Sequence, residues 1–230
     1  MSTSRPVPRP DKQRALLDGA LRVFARDGYS RASIGAIAAE AGVSTRTIYN
    51  HYEDKAALFE AVIVDSAERT AQREIAVVQR LLGRLTDLQA DLVQFGHAWS
   101  TPDPDSAPHF ALVRQISADA GHIPPRALAA WQDAGPLRVR FEIAGQLRRL
   151  ADRNLLDIDD EQLAANQLIQ LTAGTAQPSP VPTAIDAAER DRIIRSGIAV
   201  FLAAYRSRAD HDHDHDHGPD PTRQRNPPHG

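Results

Sequence analysis

The chain of 230 residues contains no cysteine, so the sequence excludes disulfide bridges and thiolate metal ligands. It has no apolar run long enough to span a membrane, and its first ten residues are rich in proline and arginine, unlike a signal peptide. We therefore expect a cytoplasmic protein without a membrane partner. The sequence also lacks GxSxG, HExxH and glycine-rich phosphate-binding motifs, so we expect neither an enzyme nor a required cofactor.

The net charge is −3, but it is unevenly distributed along the chain. Residues 1–50 carry eight basic and four acidic side chains, a net charge of +4, which leaves −7 on the remaining 180 residues. A basic N-terminal segment joined to an acidic remainder suits a protein that presents one end to a phosphate backbone.

Apolar residues recur at helical spacing along most of the chain, and no alternating strand pattern of useful length is present. We therefore predict an all-α fold. The most informative segment, Ser33 to Lys55 (SIGAIAAEAGVSTRTIYNHYEDK), predicts two short helices joined by a turn and followed at once by a third helix. Ser33, Ser44 and Asp54 can each N-cap one of these helices, and Gly42 can supply the positive φ that ends the first.

The second of these helices carries mostly polar side chains, while its apolar Ile48 points inward. Short donors and acceptors can meet base edges and phosphates, and a lysine in the first turn of the third helix can reach a phosphate. The segment therefore predicts a helix-turn-helix that binds the DNA major groove, packed against an upstream helix that starts at Asp11 and stops at Gly28. A helical hairpin in a hydrophobic core is the alternative interpretation of this pattern alone.

From Asp11 to about Val64 the sequence closely resembles the TetR family of bacterial one-component transcription regulators. It departs from the family at Ser33 and Gly35, where threonine and a larger residue are more common, and at Glu53, where proline is common. The residues that carry the resemblance are Ala20, Phe24, Gly28, Ile37, Ala38, Ala41, Gly42, Val43, Ser44, Ile48, Tyr49, His51, Tyr52, Lys55 and Leu58.

The resemblance implies base contacts by Thr45, Arg46 and Asn50. It also implies phosphate contacts by polar side chains around the two short helices. Ser44, the predicted N-cap, is also predicted to be a DNA-binding residue. The predicted phosphate contacts are Ser33, Thr47, Tyr49, His51 and Lys55. Packing with a solvated hydroxyl is an alternative for Tyr49, and a plain surface position is an alternative for His51.

The resemblance and the local composition together predict how the chain is divided. The predicted units are a flexible arm (1–10), the helix-turn-helix domain (11–60), a larger helical domain for ligand binding and dimerisation (61–206) and a disordered tail rich in His, Asp and Pro (207–230). Within the larger domain, Pro136 to Asn154 followed by Asp159 to Gly174 resembles the AefR-like C-terminal domain found in part of the family.

Two predicted helices are candidates for a homodimer interface, because the resemblance implies that they form a four-helix bundle with their two-fold mates. The last helix has an apolar stripe and a small residue that allows close helix approach. The candidate residues on this helix are Ile194, Gly197, Ile198, Phe201 and Tyr205, and those on its partner helix are Leu137, Phe141 and Ala144. The alternative is that both helices fill the core of one chain.

Aromatic and polar residues of the middle helices are candidates for an effector pocket, since the body is otherwise aliphatic. The candidate pocket residues are His97, Trp99, Phe110, Arg114, His122 and Trp131. Core or interface packing is the alternative for the two tryptophans. Ordinary surface or core positions are the alternative for the histidines, and an ion pair is the alternative for Arg114.

The tail contains the run HDHDHDH, whose side chains are suitable ligands for zinc or nickel. Its histidines are His211, His213, His215 and His217, and a solvated low-complexity tail is the alternative. The resemblance implies a ligand-responsive homodimeric repressor that binds a near-palindromic double-stranded DNA operator and is released by a small-molecule effector. Metal-responsive regulation through the tail and control by a partner protein are alternative functions.

Overall fold

The computed structural model describes residues 9–101, 103–173 and 186–207. These residues form ten α-helices and no β-strand, which confirms the predicted all-α fold. The helices are α1 (Arg9–Arg31), α2 (Ile34–Ala41), α3 (Thr45–Tyr49), α4 (Lys55–Leu82), α5 (Leu88–Ser100), α6 (Ala107–Asp119), α7 (Pro125–Ala134), α8 (Pro136–Asp152), α9 (Glu161–Ala173) and α10 (Ala187–Tyr205). The four histidines of the tail and residues 1–8 of the predicted arm lie outside the described residues.

The first helix is interrupted at Gly28, whose φ of 77° and ψ of 169° are not helical. The predicted stop at Gly28 is therefore confirmed, and one further turn of backbone leads on to α2. A Cβ at this position would lie 2.7 Å from Oδ2 of Asp119, at the end of α6. Glycine is therefore favoured at position 28 for two reasons: the φ angle is positive, and a side chain would be too close to Asp119.

The first three helices and the first turns of α4 form a unit that we call the head. Its core contains Phe24 and Phe59, whose rings meet edge to face with their centroids 4.9 Å apart, and the fully buried Ile37 and Ile48. The same cluster continues into Leu112 and other buried residues of α6 and α7. The remainder of α4 and helices α5 to α10 form the body. Helix α4 runs from one unit into the other without a break.

The body has its own hydrophobic core between α4, α5, α8, α9 and α10. Four of the eight residues predicted at a dimer interface lie in it: Ile194 and Ile198 are 0% exposed, Phe201 is 1% exposed and Ala144 is 3% exposed. These side chains pack in the core of one chain. The four residues therefore fit the alternative interpretation of the sequence, in which both helices fill the core of one chain.

The other four predicted interface residues differ in their surroundings. Gly197 is buried, and a Cβ there would overlap the carbonyl oxygen of Leu171 in α9. Tyr205 is half-buried and donates from its hydroxyl to Oε1 of Gln167 at 2.7 Å, and Leu137 is also half-buried. Phe141 is 59% exposed and remains available to a partner. The small residue at position 197 therefore serves the packing of α10 on α9.

A network of charged side chains joins α1 to α4. Both terminal nitrogens of Arg14 donate to the carboxylate of Asp65, at 2.7 and 3.0 Å, and Arg14 also bonds Asp18 at 2.9 Å. Arg69 contacts both carboxylates at 3.2 Å. Burial alone would raise the pKa of Asp18, but the hydrogen bond and charge of Arg14, together with Arg69, lower it below its ordinary value. The network thus links α1 to α4 through partly exposed ion pairs.

Gly197→Ala is predicted to destabilise the protein by about 1–3 kcal/mol, because the added methyl group would force α10 away from the backbone of α9. Gly145→Ala is the matched control, since it is also a helical position but has open space around it. There the loss of backbone freedom in the unfolded chain should make alanine stabilising by up to about 1 kcal/mol. Urea denaturation at one protomer concentration measures both effects. Equal stability changes in the two variants would contradict this account of Gly197.

Candidate DNA-binding surface

The ends of the helix-turn-helix are fixed by local hydrogen bonds. Ser33 Oγ accepts from the backbone N–H of Ala36 at 3.1 Å, and Ser44 Oγ accepts from that of Thr47 at 3.1 Å. The Asp54 carboxylate accepts from the N–H of Ala57 at 2.7 Å. All three predicted N-caps are therefore confirmed. The hydroxyls of Ser33 and Ser44 have a structural task, and their contact with DNA stays a prediction.

The turn between α2 and α3 depends on Gly42. Its φ of 65° and ψ of 32° place it in the left-handed region, as predicted. The N–H of Val43 donates to Ala38 O at 3.0 Å and the N–H of Gly42 donates to Ala39 O at 3.3 Å, so the last carbonyl groups of α2 are satisfied. The chain can then turn sharply into α3.

Helix α3 is short, and one side chain anchors it in the head. Ile48 is fully buried, while Thr45, Arg46 and Asn50 are exposed on the surface. These three are the residues that the family resemblance implies as base contacts, and their exposure leaves their polar groups free to meet a ligand. The surface therefore offers a fixed set of donors and acceptors of the kind that reads base edges.

The predicted phosphate contacts around α3 have different surroundings. Tyr49 is 57% exposed, which is consistent with a surface contact rather than with the packing alternative. His51 is exposed and its ring lies 6.4 Å from that of Tyr52. Thr47 is half-buried, with Oγ1 2.9 Å from Oγ of Ser44. All three lie beside the exposed face of α3, and their contacts with DNA stay predictions.

Lys55 does not point freely towards solvent. Its Nζ lies 3.0 Å from the carbonyl oxygen of Tyr29, 3.3 Å from that of Ser30 and 3.2 Å from that of Ala32. It also lies 4.8 Å from the centre of the Tyr29 ring. An ammonium group has three N–H donors, and this arrangement directs all of them to backbone carbonyl groups. In the free protein Lys55 is therefore engaged with the backbone, and its phosphate contact stays a prediction.

The six residues predicted to line an effector pocket are distributed between the two cores and the surface. Trp99 packs against the body core, with its ring 5.7 Å from that of Phe95, whereas Trp131 packs against the core of the head. His97 bonds Asp191 of α10 through Nε2 at 2.8 Å. Arg114 and His122 are exposed, and Phe110 is half-buried beside His109. A common cavity for these residues stays a prediction.

Sequence reasoning missed a line of polar groups along α4, of which Ser66 and Thr70 are buried and Glu74 is half-buried. Ser66 and Thr70 are almost fully buried, and Ser66 Oγ lies 2.9 Å from Nδ1 of His109 in α6. Burial, with the nearby charge of Arg69, lowers the pKa of His109 to about 4. Burial also raises the pKa of Glu74 to about 7. The spacing of residues 66, 70 and 74 on one helical face is the signal that could have revealed this line.

An open groove of about 430 Å³ lies between α9 and α10 on the outside of the body. It is lined by Asn166, Gln167, Gln170, Leu171, Val200, Phe201, Ala204 and Tyr205. Val200 is 56% exposed, and Leu163 on the exposed face of α9 is 49% exposed. Two large apolar side chains on this face therefore remain in contact with water.

Within the described ranges, no helix is both long and apolar enough to cross a membrane. The same ranges contain no group of three potential metal-ligating side chains. The predicted metal ligands of the tail, residues 211–217, lie outside the described part of the chain, so metal binding there stays a prediction.

Two family models match the chain. The model described as bacterial regulatory proteins, tetR family, matches residues 16–62, and the model described as AefR-like transcriptional repressor, C-terminal domain, matches residues 105–207. Both resemblances found in the sequence are thus confirmed. The two matches fall on the head and on most of the body.

Individual proteins agree with these models. The HTH-type transcriptional repressor Rv1474c of Mycobacterium tuberculosis is 37% identical over 84 residues, which cover 36% of this chain and 44% of that protein. The HTH-type transcriptional regulator BetI of Rhizobium meliloti is 30% identical over 164 residues, which cover 71% of this chain and 66% of that protein. The chain thus spans less than two thirds of each of these relatives.

A solved structure shows the same fold. The crystal structure of a TetR-family transcriptional regulator from Mesorhizobium loti MAFF303099 aligns with this chain at a TM-score of 0.74 and 24% sequence identity. The alignment covers 87% of this chain and 100% of that one. The relatives are transcriptional regulators and not enzymes. Together, the two family models and these relatives show that the chain belongs to the TetR family of DNA-binding transcriptional regulators, with an AefR-like C-terminal domain.

Proposed function

We propose that the protein is a homodimeric repressor that binds a near-palindromic operator and is released by a small-molecule effector. The proposal is carried by the exposure of Thr45 and Arg46 on α3 and of Asn50 at its C-cap, while Ile48 of the same helix is fully buried. Anchoring by Ile48 fixes which face of the helix is exposed, so these polar side chains lie on the surface that can enter the major groove. The family match at residues 16–62 supports the same conclusion.

We expect a second copy of the chain to bind the face formed by α9 and α10. The apolar stripe of α10 that the sequence suggested as an interface is buried. Val200 and Leu163 supply exposed apolar surface there, and Gln167 and Gln170 supply hydrogen-bonding groups along the groove. A dimer is needed because one short helix contributes modest affinity. Two heads held about 34–36 Å apart can read successive major-groove faces of one operator.

The coupling between effector and operator is expected to pass through α6. Leu112 and Ile116 of α6 belong to the core of the head, and Oδ2 of Asp119 accepts from the N–H of Ser30 at 3.3 Å. A displacement of α6 would therefore move the turn between α1 and α2. By thermodynamic linkage, an effector that favours one position of the heads changes operator affinity by the same factor as the operator changes effector affinity.

The effector is expected to carry hydrogen-bonding groups. Trp131 is the strongest of the six predicted pocket residues, because its Nε1 is buried and has no hydrogen-bond partner among the described residues. A donor buried in this way is destabilising until a partner arrives. Ser66, Thr70 and Glu74 provide further polar groups inside the body.

Footprinting on fragments of the source genome, titrated at two salt concentrations, tests the proposal. We expect a protected near-palindromic site whose half-sites are about one helical turn of DNA or a multiple of it apart, and a steep fall of affinity with salt. The absence of any protected site would overturn the proposal.

Arg46→Ala is predicted to weaken operator binding by about 1–3 kcal/mol if the arginine contacts a guanine through two hydrogen bonds, because that contact discriminates between bases. Binding to unrelated DNA should fall much less. Arg84→Ala is the matched control, since Arg84 is an exposed arginine in the turn that follows α4. Titration of the operator and of a scrambled duplex measures the difference. An equal loss on both duplexes would show that Arg46 acts only through its charge.

Val200→Arg is predicted to shift the protein from dimer to monomer, because it places a charge in the apolar part of the proposed interface. Ala129→Arg introduces the same side chain at an exposed position of α7 and should leave the dimer intact. Sedimentation equilibrium measures the mass of both variants. A dimeric Val200→Arg variant would require another interface.

A further inference from the structure

We propose that Lys55 is a positioning residue of the head: its ammonium group holds the turn before α2 and thereby sets the direction of α3, and it does not bind a phosphate. The effect on operator binding rests on the proposed function. The structural part of the inference, that the ammonium group is sequestered in the free protein, does not.

Nζ of Lys55 lies in a socket formed by three backbone carbonyl groups and the ring of Tyr29. The carbonyl oxygens of Tyr29, Ser30 and Ala32 converge on Nζ of Lys55 at 3.0 to 3.3 Å. These groups follow the break in α1, where the helix can no longer supply N–H partners for them. The face of the Tyr29 ring, 4.8 Å from Nζ, provides a further favourable site for the positive charge. The socket therefore takes up all three donors of the ammonium group.

Lys55 lies where α1 ends and where α2 and α4 begin. Lys55 is the first residue of α4, and Ala32 is followed at once by Ser33, the N-cap of α2. One side chain therefore joins the end of α1, the start of α2 and the start of α4. Helix α3 lies between α2 and α4 along the chain, so this contact fixes the segments on both sides of it.

Positioning and phosphate binding require different properties of the side chain. A lysine that binds a phosphate acts as a point charge, and arginine can replace it in that role. The socket requires three donors that diverge from one atom, which the planar guanidinium group cannot provide. Lys55→Arg therefore keeps the charge and loses the socket, whereas Lys55→Met loses both.

Amine labelling of the wild-type protein tests the sequestered state directly. Lys12 and Lys55 are the two lysines of the chain, and Lys12 is exposed, so it serves as an internal control. With acetic anhydride and mass spectrometry, we expect Lys55 in the free protein to react roughly tenfold or more slowly than Lys12, because reaction requires local opening of the socket. Rapid reaction of Lys55 in the free protein would overturn the inference, whether or not DNA then protects it.

Variants test the consequence for DNA. If Lys55 positions α3, Lys55→Arg and Lys55→Met should both lose roughly tenfold or more in operator affinity, comparable to one lost specific contact, with a smaller loss on a scrambled duplex. Near wild-type operator affinity for Lys55→Arg would overturn the inference. So would a salt slope for Lys55→Met that is less steep by about 0.9 per lost phosphate contact, with equal losses on both duplexes.

Two controls keep these outcomes distinct. Circular dichroism establishes that each variant is folded at the temperature of the titration, and Lys12→Met gives the effect of removing the other lysine. If Lys55→Met does not fold, Lys55→Arg and the labelling of the wild-type protein still decide the question. If no operator exists, the proposed function fails while the labelling still tests the socket.

Discussion

The carbonyl groups at the end of α1 need partners that α1 itself cannot supply, and the way this requirement is met sets the geometry of the head. These carbonyl groups are only partly shielded from water, and a hydrogen bond to a charged donor is stronger than one between neutral groups. Lys55 satisfies the requirement from the side of α4, and Asp119 binds a backbone N–H of the same turn from the side of α6. A cation and an anion from different helices therefore hold one short piece of backbone.

The parts of the helix-turn-helix that the sequence predicted correctly are those determined within a few residues. Ser33, Ser44 and Asp54 each cap a backbone N–H three residues ahead, and Gly42 needs only its own positive φ. Such contacts form whenever the local helix forms, so residue type and spacing are sufficient evidence. The inward position of Ile48 follows from helical periodicity in the same way.

Contacts between residues that are distant in the chain could not be predicted from local patterns. The apolar stripe of Ile194, Ile198 and Phe201 has the same period whether it faces its own core or a partner, so periodicity alone could not assign it. The partners of Lys55 lie 23 to 26 residues earlier, and a lysine in the first turn of a helix gives no sign of them. Only the packing of α1 against α4 brings these groups together.

The core of the head does not end where a domain boundary at residue 60 would place it. Leu112 and Ile116 of α6 complete it, and Asp119 binds its turn. A head cut from this body would leave an apolar face open to water and a backbone N–H without its carboxylate. Chimeric regulators made by exchanging heads should therefore keep their affinity for DNA only when α6 is transferred together with the head. Helix α6 thus belongs to the smallest unit that can be exchanged between such proteins.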